Sequence, residues 1–314
     1  MQKVIHPINF ALWQADKIAF AKLLGASFRE TGFAVVEAHN IAQDVVESSL
    51  SAAKDFFALP ETVKADYQNP EMGFQRGHAP LGSENAKGRA QGDLKEFWHM
   101  GRPAVQITAP VDAILPTPSV SNVAGFDGAT QALFSQFDDF GAQILRAVAL
   151  YLDLDENWFD IAIDQGNSLL RLLHYPPQPT PPASGVVRAG EHEDINLITL
   201  LLGAQEAGLQ VKHKTHGWID IDVPEGAIVL NCGDMLQRLT GGVLPSTTHR
   251  VSNPTPQRAA FSRYSMPFFL HPKNSFMIET LPSCIARGGI VQPPISAGDY
   301  LRERLIEIGL LTAA

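Results

Sequence analysis

His192 and Asp194 stand two residues apart in the sequence GEHEDINLITLLL, which runs from residue 190 to residue 202. Residues i and i+2 of an extended chain project from the same face, so the imidazole and the carboxylate are predicted to point into the same space. That arrangement suits two ligands of one metal ion. It also suits an ordinary hydrogen-bonded pair, and so short a motif often occurs by chance.

His249, in the later strand-like segment STTHRVSN, is a candidate third ligand. It follows the stretch GDMLQRLTGGVLPS, whose glycines and proline indicate a turn. If the intervening segments fold back on one another, His249 can converge with His192 and Asp194. Two imidazoles and one carboxylate leave three positions of an ion open, which is the arrangement of non-haem Fe(II) oxygenases. The open side allows dioxygen and a bidentate cosubstrate to bind.

Arg263 and Ser265 form a second i, i+2 pair, in the apolar segment RYSMPFF. A guanidinium is costly to bury in such a strand unless an anion accompanies it. It can bind a carboxylate through two parallel hydrogen bonds, and the serine hydroxyl adds another donor. The pair therefore predicts a carboxylate site. The simpler alternative is an exposed arginine on an edge strand.

Short apolar runs separated by turn residues fill the chain after Gly166. This pattern predicts an antiparallel sandwich or barrel rather than alternating parallel strands and helices. The runs are SLLRLLHYP, INLITLLLG, GLQVKH, GWIDIDV, AIVLNC, STTHRVSN and AAFSRYSMPFFL.

Helical spacing dominates the first half of the chain. We predict helices over Leu12–Thr31, about residues 41–59 and Phe126–Leu154, together with a closing helix in ISAGDYLRERLIEIGL. Residues 68–92 are rich in Gly, Pro, Asn and Gln and are predicted to be irregular. The expected architecture is a β-sandwich core braced by N-terminal helices in one compact unit.

The composition limits the classes of binding partner and the cellular compartment that are expected. The chain has 314 residues, 45% of them hydrophobic, and a formal net charge of -9 without a basic tract, so nucleic acid is not an expected partner. No apolar run approaches the roughly 20 residues of a membrane helix. Two isolated cysteines, Cys232 and Cys284, and the lack of a signal-peptide pattern predict a reducing cytoplasm. No heptad repeat or evident apolar patch predicts an oligomeric state.

The ordered series HYPP, HED, GLQV, GW, GD, HRVSN and RYSMPFF resembles the 2-oxoglutarate and Fe(II)-dependent oxygenases of the isopenicillin N synthase-like family. GFAVVEAHNI with FFALPETVKADY resembles that family's N-terminal region, and DLKEFWHM resembles its next landmark. Together these motifs cover most of residues 5–272.

The resemblance implies a double-stranded β-helix, or jelly roll, with bound Fe(II), 2-oxoglutarate as cosubstrate and O2 as oxidant. His192, Asp194 and His249 would be the iron ligands, and no catalytic residue beyond them is implied. Arg263 and Ser265 would hold the distal carboxylate of 2-oxoglutarate, and a tyrosine matching Tyr175 often contacts the same molecule.

This chain departs from the commoner Asn-Tyr-Tyr-Pro version of that motif. Leu173 and His174 stand where the asparagine and the first tyrosine would be, so one cosubstrate contact is lost. We expect His174 to point away from Tyr175 and to support the site from behind.

The resemblance further implies oxidation, usually hydroxylation, of a small organic substrate with formation of succinate and CO2. A cosubstrate-independent Fe(II) oxidase of the same fold and a non-enzymatic β-sandwich binding module remain alternatives. The expected organisation is a mostly helical region at 1–165 packed on the core, a jelly-roll core at 166–272 and a closing segment at 273–314.

Four other polar residues are further candidates for the site. His213 and His216 fall in a predicted hairpin turn and are expected to be solvated. His99 is expected either to line the substrate pocket or to be a packed or surface histidine. Asp234, in NCGDM, is expected to fix local geometry rather than to take part in the chemistry.

Overall fold

The computed structural model of the protein describes residues 5–83, 93–103, 109–178, 188–202, 208–253, 257–308 and 310–311. The α-helices within these ranges are α1 Ala11–Ala15, α2 Lys17–Thr31, α3 Gln43–Phe57, α4 Glu61–Lys64, α5 Phe126–Tyr151, α6 Asp160–Ile163, α7 Asp234–Leu239, α8 Pro282–Ile285 and α9 Ala297–Glu307. The strands are β1 Pro7–Asn9, β2 Phe33–Glu37, β3 Gly77–Ala79, β4 Glu96–Gly101, β5 Leu169–Tyr175, β6 Ala189–His192, β7 Ile198–Leu202, β8 Leu209–His213, β9 Gly217–Asp220, β10 Ile228–Cys232, β11 His249–Val251, β12 Arg263–Ser265, β13 Pro267–Leu270, β14 Met277–Ile278 and β15 Ile295–Ser296.

Two open sheets form the centre of the molecule. The larger has the strand order β1-β2-β10-β7-β13-β5-β4-β3, with β12 also paired to β5, and the smaller has the order β6-β11-β8-β9. All of these pairs are antiparallel except β1 with β2. A short β14-β15 pair lies apart from them.

The strands β2 and β10 are buried on both faces. Phe33, Val35 and Val229 pack with Val211 of β8, so this face joins the two sheets. The alternate residues of β2 and β10 face the helices in the main core. A strand covered on both faces loses the apolar–polar alternation, which explains the uniform apolar runs in the sequence.

Helix α5 supports the larger sheet from behind. The rings of Phe137 and Phe268 stack with centroids 5.5 Å apart. Gly141 allows the close approach, because a Cβ there would lie 2.4 Å from Leu270 Cδ1. The helix predicted at Phe126–Leu154 is thus confirmed, ending three residues earlier than expected.

Two local predictions need correction. The helix expected over Leu12–Thr31 is two helices, because Asp16 adopts an extended backbone and accepts a hydrogen bond from the Ala19 N–H at 2.9 Å, which caps α2. The segment at 68–92 is not wholly irregular: β3 lies within it and pairs with β4. Residues 84–92 lie outside the described ranges.

The N-terminal region does more than pack on the core. Four strands that precede residue 166, namely β1, β2, β3 and β4, belong to the larger sheet. The predicted organisation into residues 1–165, 166–272 and 273–314 stays a prediction. The larger sheet extends across the first of these boundaries. None of the described helices combines the length and apolar character that crossing a bilayer requires.

Candidate metal centre and active site

Three potential metal ligands meet where β6 and β11 pair. His192 ends β6, Asp194 follows two residues later, and His249 begins β11 directly opposite His192 in the register. Asp194 Oδ1 lies 3.8 Å from the Nε2 atom of each histidine. All three candidate ligand atoms lie within 4.8 Å of one another, and no other such His, Cys, Asp or Glu group occurs among the described residues.

Each histidine is oriented by its second ring nitrogen. His192 Nδ1 lies 2.8 Å from the Gly190 carbonyl oxygen and His249 Nδ1 lies 3.1 Å from that of Thr247. Because a carbonyl only accepts, both Nδ1 atoms carry the hydrogen, and both Nε2 lone pairs are left for a ligand. Desolvation and the neighbouring His249 lower the pKa of His192 to about 4, so its ring is neutral at pH 7.

Asp194 is held by its outer oxygen. Oδ2 accepts hydrogen bonds from Thr199 Oγ1 at 2.6 Å and Asn231 Nδ2 at 2.8 Å. These two donors are cross-strand partners on β7 and β10, which places them side by side beneath the carboxylate. Burial raises the pKa of Asp194, but the two histidines and these hydrogen bonds outweigh it, so the net direction is downward. Oδ1 therefore remains as a charged ligand atom facing the histidines.

This donor set fits a divalent iron ion. Two imidazole nitrogens and one carboxylate oxygen are grouped together, which matches the ligand type of two-histidine, one-carboxylate iron sites. The hydrogen bonds behind each ligand are those that orient first-sphere ligands in metal sites. The hydrogen-bonded-pair alternative explains the structure less well, because both His–Asp contacts are 3.8 Å, longer than a hydrogen bond.

The predicted carboxylate site lies on two adjacent strands. Arg263 pairs with Tyr175, and Ser265 pairs with Leu173, across β12 and β5. Arg263, Ser265 and Tyr175 are all buried, and the guanidinium carbon lies 5.1 Å from the centroid of the Tyr175 ring. The structure thus places the three residues on two paired strands, and their role as a carboxylate site stays a prediction.

Comparison with known proteins identifies the family. The model of the 2OG-Fe(II) oxygenase superfamily matches residues 166–272, and that of the non-haem dioxygenase N-terminal region, described for morphine synthesis, matches residues 5–115. A 2-oxoglutarate-dependent dioxygenase of Aspergillus rugulosus is 30% identical over 285 residues, which cover 86% of this chain and 85% of the relative. This chain belongs to the 2OG-Fe(II) oxygenase superfamily.

Solved structures confirm the fold. A protein of this family from Caulobacter crescentus is 42% identical, with a TM-score of 0.88 over 98% of this chain and 100% of that one. A full-length Neurospora crassa protein, solved in complex with alpha-KG and thymine, is 30% identical, with a TM-score of 0.84 over 96% of each chain. The predicted jelly roll, the 2-oxoglutarate-dependent dioxygenase class and the use of Fe(II), 2-oxoglutarate and O2 are confirmed.

The oxygenase has a cavity of about 280 Å³ beside the candidate metal ligands. His192 and Asp194 form part of its wall, so the candidate centre opens into it. Strands β4 and β5 and helix α9 supply the other sides. His99 lines this cavity, which settles the choice between the two positions expected for it.

Two arginines of the oxygenase were not identified from the sequence. Arg171 lines the cavity from β5, four residues before Tyr175 and on the same face of that strand. Arg188 is almost completely buried, and its guanidinium carbon lies 5.8 Å from the Tyr175 ring. The argument applied to Arg263, a charge in an apolar strand, would have found Arg171. Arg188 follows a proline-rich stretch without periodicity and gives no such signal.

Behind the carboxylate site, Glu96 organises a buried polar cluster. It contacts Lys64 Nζ at 2.7 Å, His78 Nε2 at 2.9 Å and His174 Nδ1 at 2.8 Å, and His174 Nε2 contacts Ser262 at 2.9 Å. Burial raises the pKa of Glu96, but these partners outweigh it and hold the pKa well below its usual range. His174 thus supports β12 from behind, as expected.

The remaining candidates lie at the edge of the site or away from it. Asp234 begins α7, and its backbone N–H donates to the Asp194 carbonyl oxygen at 2.7 Å, a geometric role. Burial raises the pKa of the Asp234 carboxyl to about 6. His216 is exposed and His213 is half-buried in the β8–β9 hairpin, with their ring centroids 4.6 Å apart.

Proposed function

We propose that His192, Asp194 and His249 are the iron ligands of this oxygenase. The observation that carries the proposal is that three ligand atoms converge within 4.8 Å while hydrogen bonds behind them orient each one. Bound Fe(II), with 2-oxoglutarate and O2, supplies the oxidising power of the reaction. The protein contributes an open side for these molecules and a cavity that positions the substrate.

We further propose that Arg263 and Ser265 bind the distal carboxylate of 2-oxoglutarate, with Tyr175 beside it. The guanidinium is nearly inaccessible to water, and a guanidinium can bind a carboxylate through two parallel hydrogen bonds. The aromatic ring fixes the guanidinium plane from one side. The Glu96 cluster positions Arg263 indirectly, because His174 and Ser262 hold the strand that carries Arg263.

The proposed reaction is hydroxylation of a small organic molecule in the cytoplasm, with formation of succinate and CO2. The cavity of about 280 Å³ supports a small substrate, and the Neurospora crassa relative was solved with thymine and with 5-formyluracil. The buried free thiols of Cys232 and Cys284 fit a reducing compartment. The net charge of -9 supports a substrate other than nucleic acid.

The ligand assignment is tested by anaerobic Fe(II) titration and by succinate formation with and without 2-oxoglutarate. His192→Ala and Asp194→Ala should each weaken Fe(II) binding roughly 100-fold or more, because losing an outer-sphere partner alone costs about 10–100-fold. His216→Ala, an exposed histidine outside the site, is the control and should bind iron as the wild type does. Undiminished iron affinity in the first two variants would refute the assignment.

The cosubstrate site is tested by Arg263→Lys, which keeps the charge but loses the two-pronged geometry. A hydrogen bond to a charged group contributes about 1.5–3 kcal/mol, so we expect 2-oxoglutarate to bind about 10- to 100-fold more weakly. Iron affinity should not change. The control is Arg146→Lys, at an arginine paired with Asp160 on helices α5 and α6. Equal 2-oxoglutarate affinity in Arg263→Lys and wild type would remove Arg263 from the site.

A further inference from the structure

One wall of the cavity carries an arginine whose orientation is fixed from behind. Arg171 pairs with His99 across β5 and β4, and its Nε–H donates to His99 Nε2. His99 Nδ1 in turn lies 2.9 Å from the Phe74 carbonyl oxygen, which can only accept. The neutral His99 ring therefore carries its hydrogen on Nδ1 and accepts from the arginine through Nε2.

Aromatic rings further constrain the same guanidinium. Its carbon lies 4.4 Å from the centroid of Phe97 and 5.3 Å from that of Phe269, and both rings line the cavity. Stacking of a guanidinium on aromatic faces restricts it to one plane. Arg171 thus presents a positive charge in a fixed direction at the cavity wall.

An oriented amide lies on the same face of this wall. Asn167, Leu169 and Arg171 alternate along the chain and all line the cavity, as i, i+2 positions of a strand do. Asn167 Oδ1 accepts a hydrogen bond from the buried Arg76 at 2.8 Å. With its oxygen engaged, the Asn167 side chain offers its NH2 group, which has no acceptor among the described residues.

His271 adds a buried imidazole to this wall. It is 9% exposed, and its Nδ1 is buried without a hydrogen-bond partner in the described part of the chain. Burial lowers the pKa of His271 to about 4, so the ring is neutral and holds one donor and one acceptor. His271 thus adds a neutral imidazole to the lining of the cavity.

Helix α9 and the residue after it contribute three aliphatic side chains to the cavity lining, Leu301, Leu305 and Ile308, together with the charged Arg304 and Glu307. A ligand in the cavity meets the hydrogen-bond donors of β5, the aromatic face of Phe269 and these aliphatic side chains. A flat ring with oxygen acceptors along one edge satisfies all three.

We propose that Arg171, Asn167 and Phe269 form the substrate-recognition wall and select a small flat ring that carries carbonyl or carboxylate oxygens. The proposal rests on the proposed function, because it assigns the substrate class of that same site. Guanidinium and amide donors match oxygen acceptors, and Phe269 offers a ring face. The cavity, at about 280 Å³, lies at the lower limit of the roughly 300–1,000 Å³ of drug-sized sites, which limits the ligand to about one ring.

The test is calorimetric titration of the wild type with thymine, nicotinate and L-proline, with and without anaerobic Fe(II) and 2-oxoglutarate. Thymine carries neutral carbonyl oxygens and nicotinate a carboxylate, whereas L-proline is a saturated ring. We expect at least one flat ring to bind at least tenfold more tightly than L-proline. Which of the two binds identifies the oxygen group. Preference for L-proline, or binding of neither flat ring, would overturn the proposal.

Variants assign the effect to the wall. Arg171→Leu should weaken binding of the preferred flat ring at least tenfold and Asn167→Ala about threefold, since a charged hydrogen bond contributes more than a neutral one. Arg171→Lys keeps the charge but changes the donor geometry, and it replaces Arg171→Leu in this test if the leucine variant does not fold. Arg146→Leu is the control, because this arginine pairs with Asp160 outside the cavity.

The outcomes separate the two proposals. If Arg171→Leu and Arg171→Lys both bind the ring as tightly as the wild type does, the recognition wall is wrong, whatever the iron titration shows. If the wild type binds a flat ring through Arg171 but binds neither Fe(II) nor 2-oxoglutarate, the wall stands and the proposed function fails.

Discussion

Removing one hydroxyl behind Asp194 tests whether the carboxylate is positioned by its outer oxygen. Thr199→Val keeps the shape of the side chain but deletes the donor that lies 2.6 Å from Asp194 Oδ2. Asn231 still donates at 2.8 Å, so the carboxylate keeps one of its two outer partners. Asn196 Nδ2, which donates to Thr199 Oγ1 at 2.9 Å and to the Ile198 carbonyl oxygen at 3.0 Å, keeps the second of these bonds and loses the first.

The expected loss follows from that single bond. A hydrogen bond to a charged group contributes about 1.5–3 kcal/mol. Each factor of ten in affinity corresponds to about 1.4 kcal/mol. Losing this bond should therefore weaken iron binding about 10- to 100-fold, the range typical for outer-sphere partners of metal ligands.

The assay is anaerobic competition titration of Fe(II), with urea unfolding of the metal-free protein to verify the fold. Thr130→Val is the matched control, because Thr130 is equally buried but donates to the Phe126 carbonyl oxygen within α5, away from the cavity. It should change iron affinity less than about twofold. Iron affinity within twofold of the wild type in a folded Thr199→Val protein would refute the reasoning.

Two further predictions concern the scaffold. Glu96→Gln should lower the free energy of unfolding at pH 7 by about 3 kcal/mol, because the buried Lys64 loses a charged partner. Burial raises the pKa of Glu96, but its partners outweigh burial and hold the pKa well below its usual range. The stabilisation is therefore complete above about pH 4.3, the pKa of an unfolded glutamate, and is lost as the pH falls further. Urea unfolding should show a smaller difference in unfolding free energy between wild type and Glu96→Gln at pH 3.5 than at pH 7. Gly233→Ala should destabilise the protein by about 1–3 kcal/mol and weaken iron binding, because its Cβ would lie 2.2 Å from the Asn196 carbonyl oxygen. Gly128→Ala, in open space on α5, should instead stabilise the protein by about 0.5–1 kcal/mol in the same urea unfolding assay, and equal effects at the two glycines would contradict the packing argument.

The three candidate metal ligands, which the structure brings within 4.8 Å of one another, could be picked out from the sequence because they are chemically distinctive. His192 and Asp194 are close along the chain, and i, i+2 geometry follows from local backbone alone. Their approach to His249 depends on the pairing of β6 with β11, which is a long-range contact. Only the order of motifs along the chain indicated that pairing, because spacing by itself carries no information about it.

Residues that act through partners were harder to find. Arg171 gains its orientation from His99, and Asn167 gains its free NH2 group from Arg76, which are separated from them by 72 and 91 positions. Neither pair has a spacing or a periodicity. Each side chain taken alone is an ordinary polar residue, so the recognition wall becomes visible only when β4 and β5 lie side by side.

The N-terminal region was underestimated for a related reason. EFWHMG forms β4, and all six of its residues are buried, so it lacks the alternation that marks a half-exposed strand. Yet this strand supplies Glu96 to the cluster behind the carboxylate site and His99 to the cavity wall. The proposed iron ligands, by contrast, all lie between residues 192 and 249. If the proposed recognition wall and the proposed iron ligands are correct, substitutions in β4 or α9 will alter substrate choice while iron binding stays intact, which separates the determinants of specificity from those of the oxidation itself.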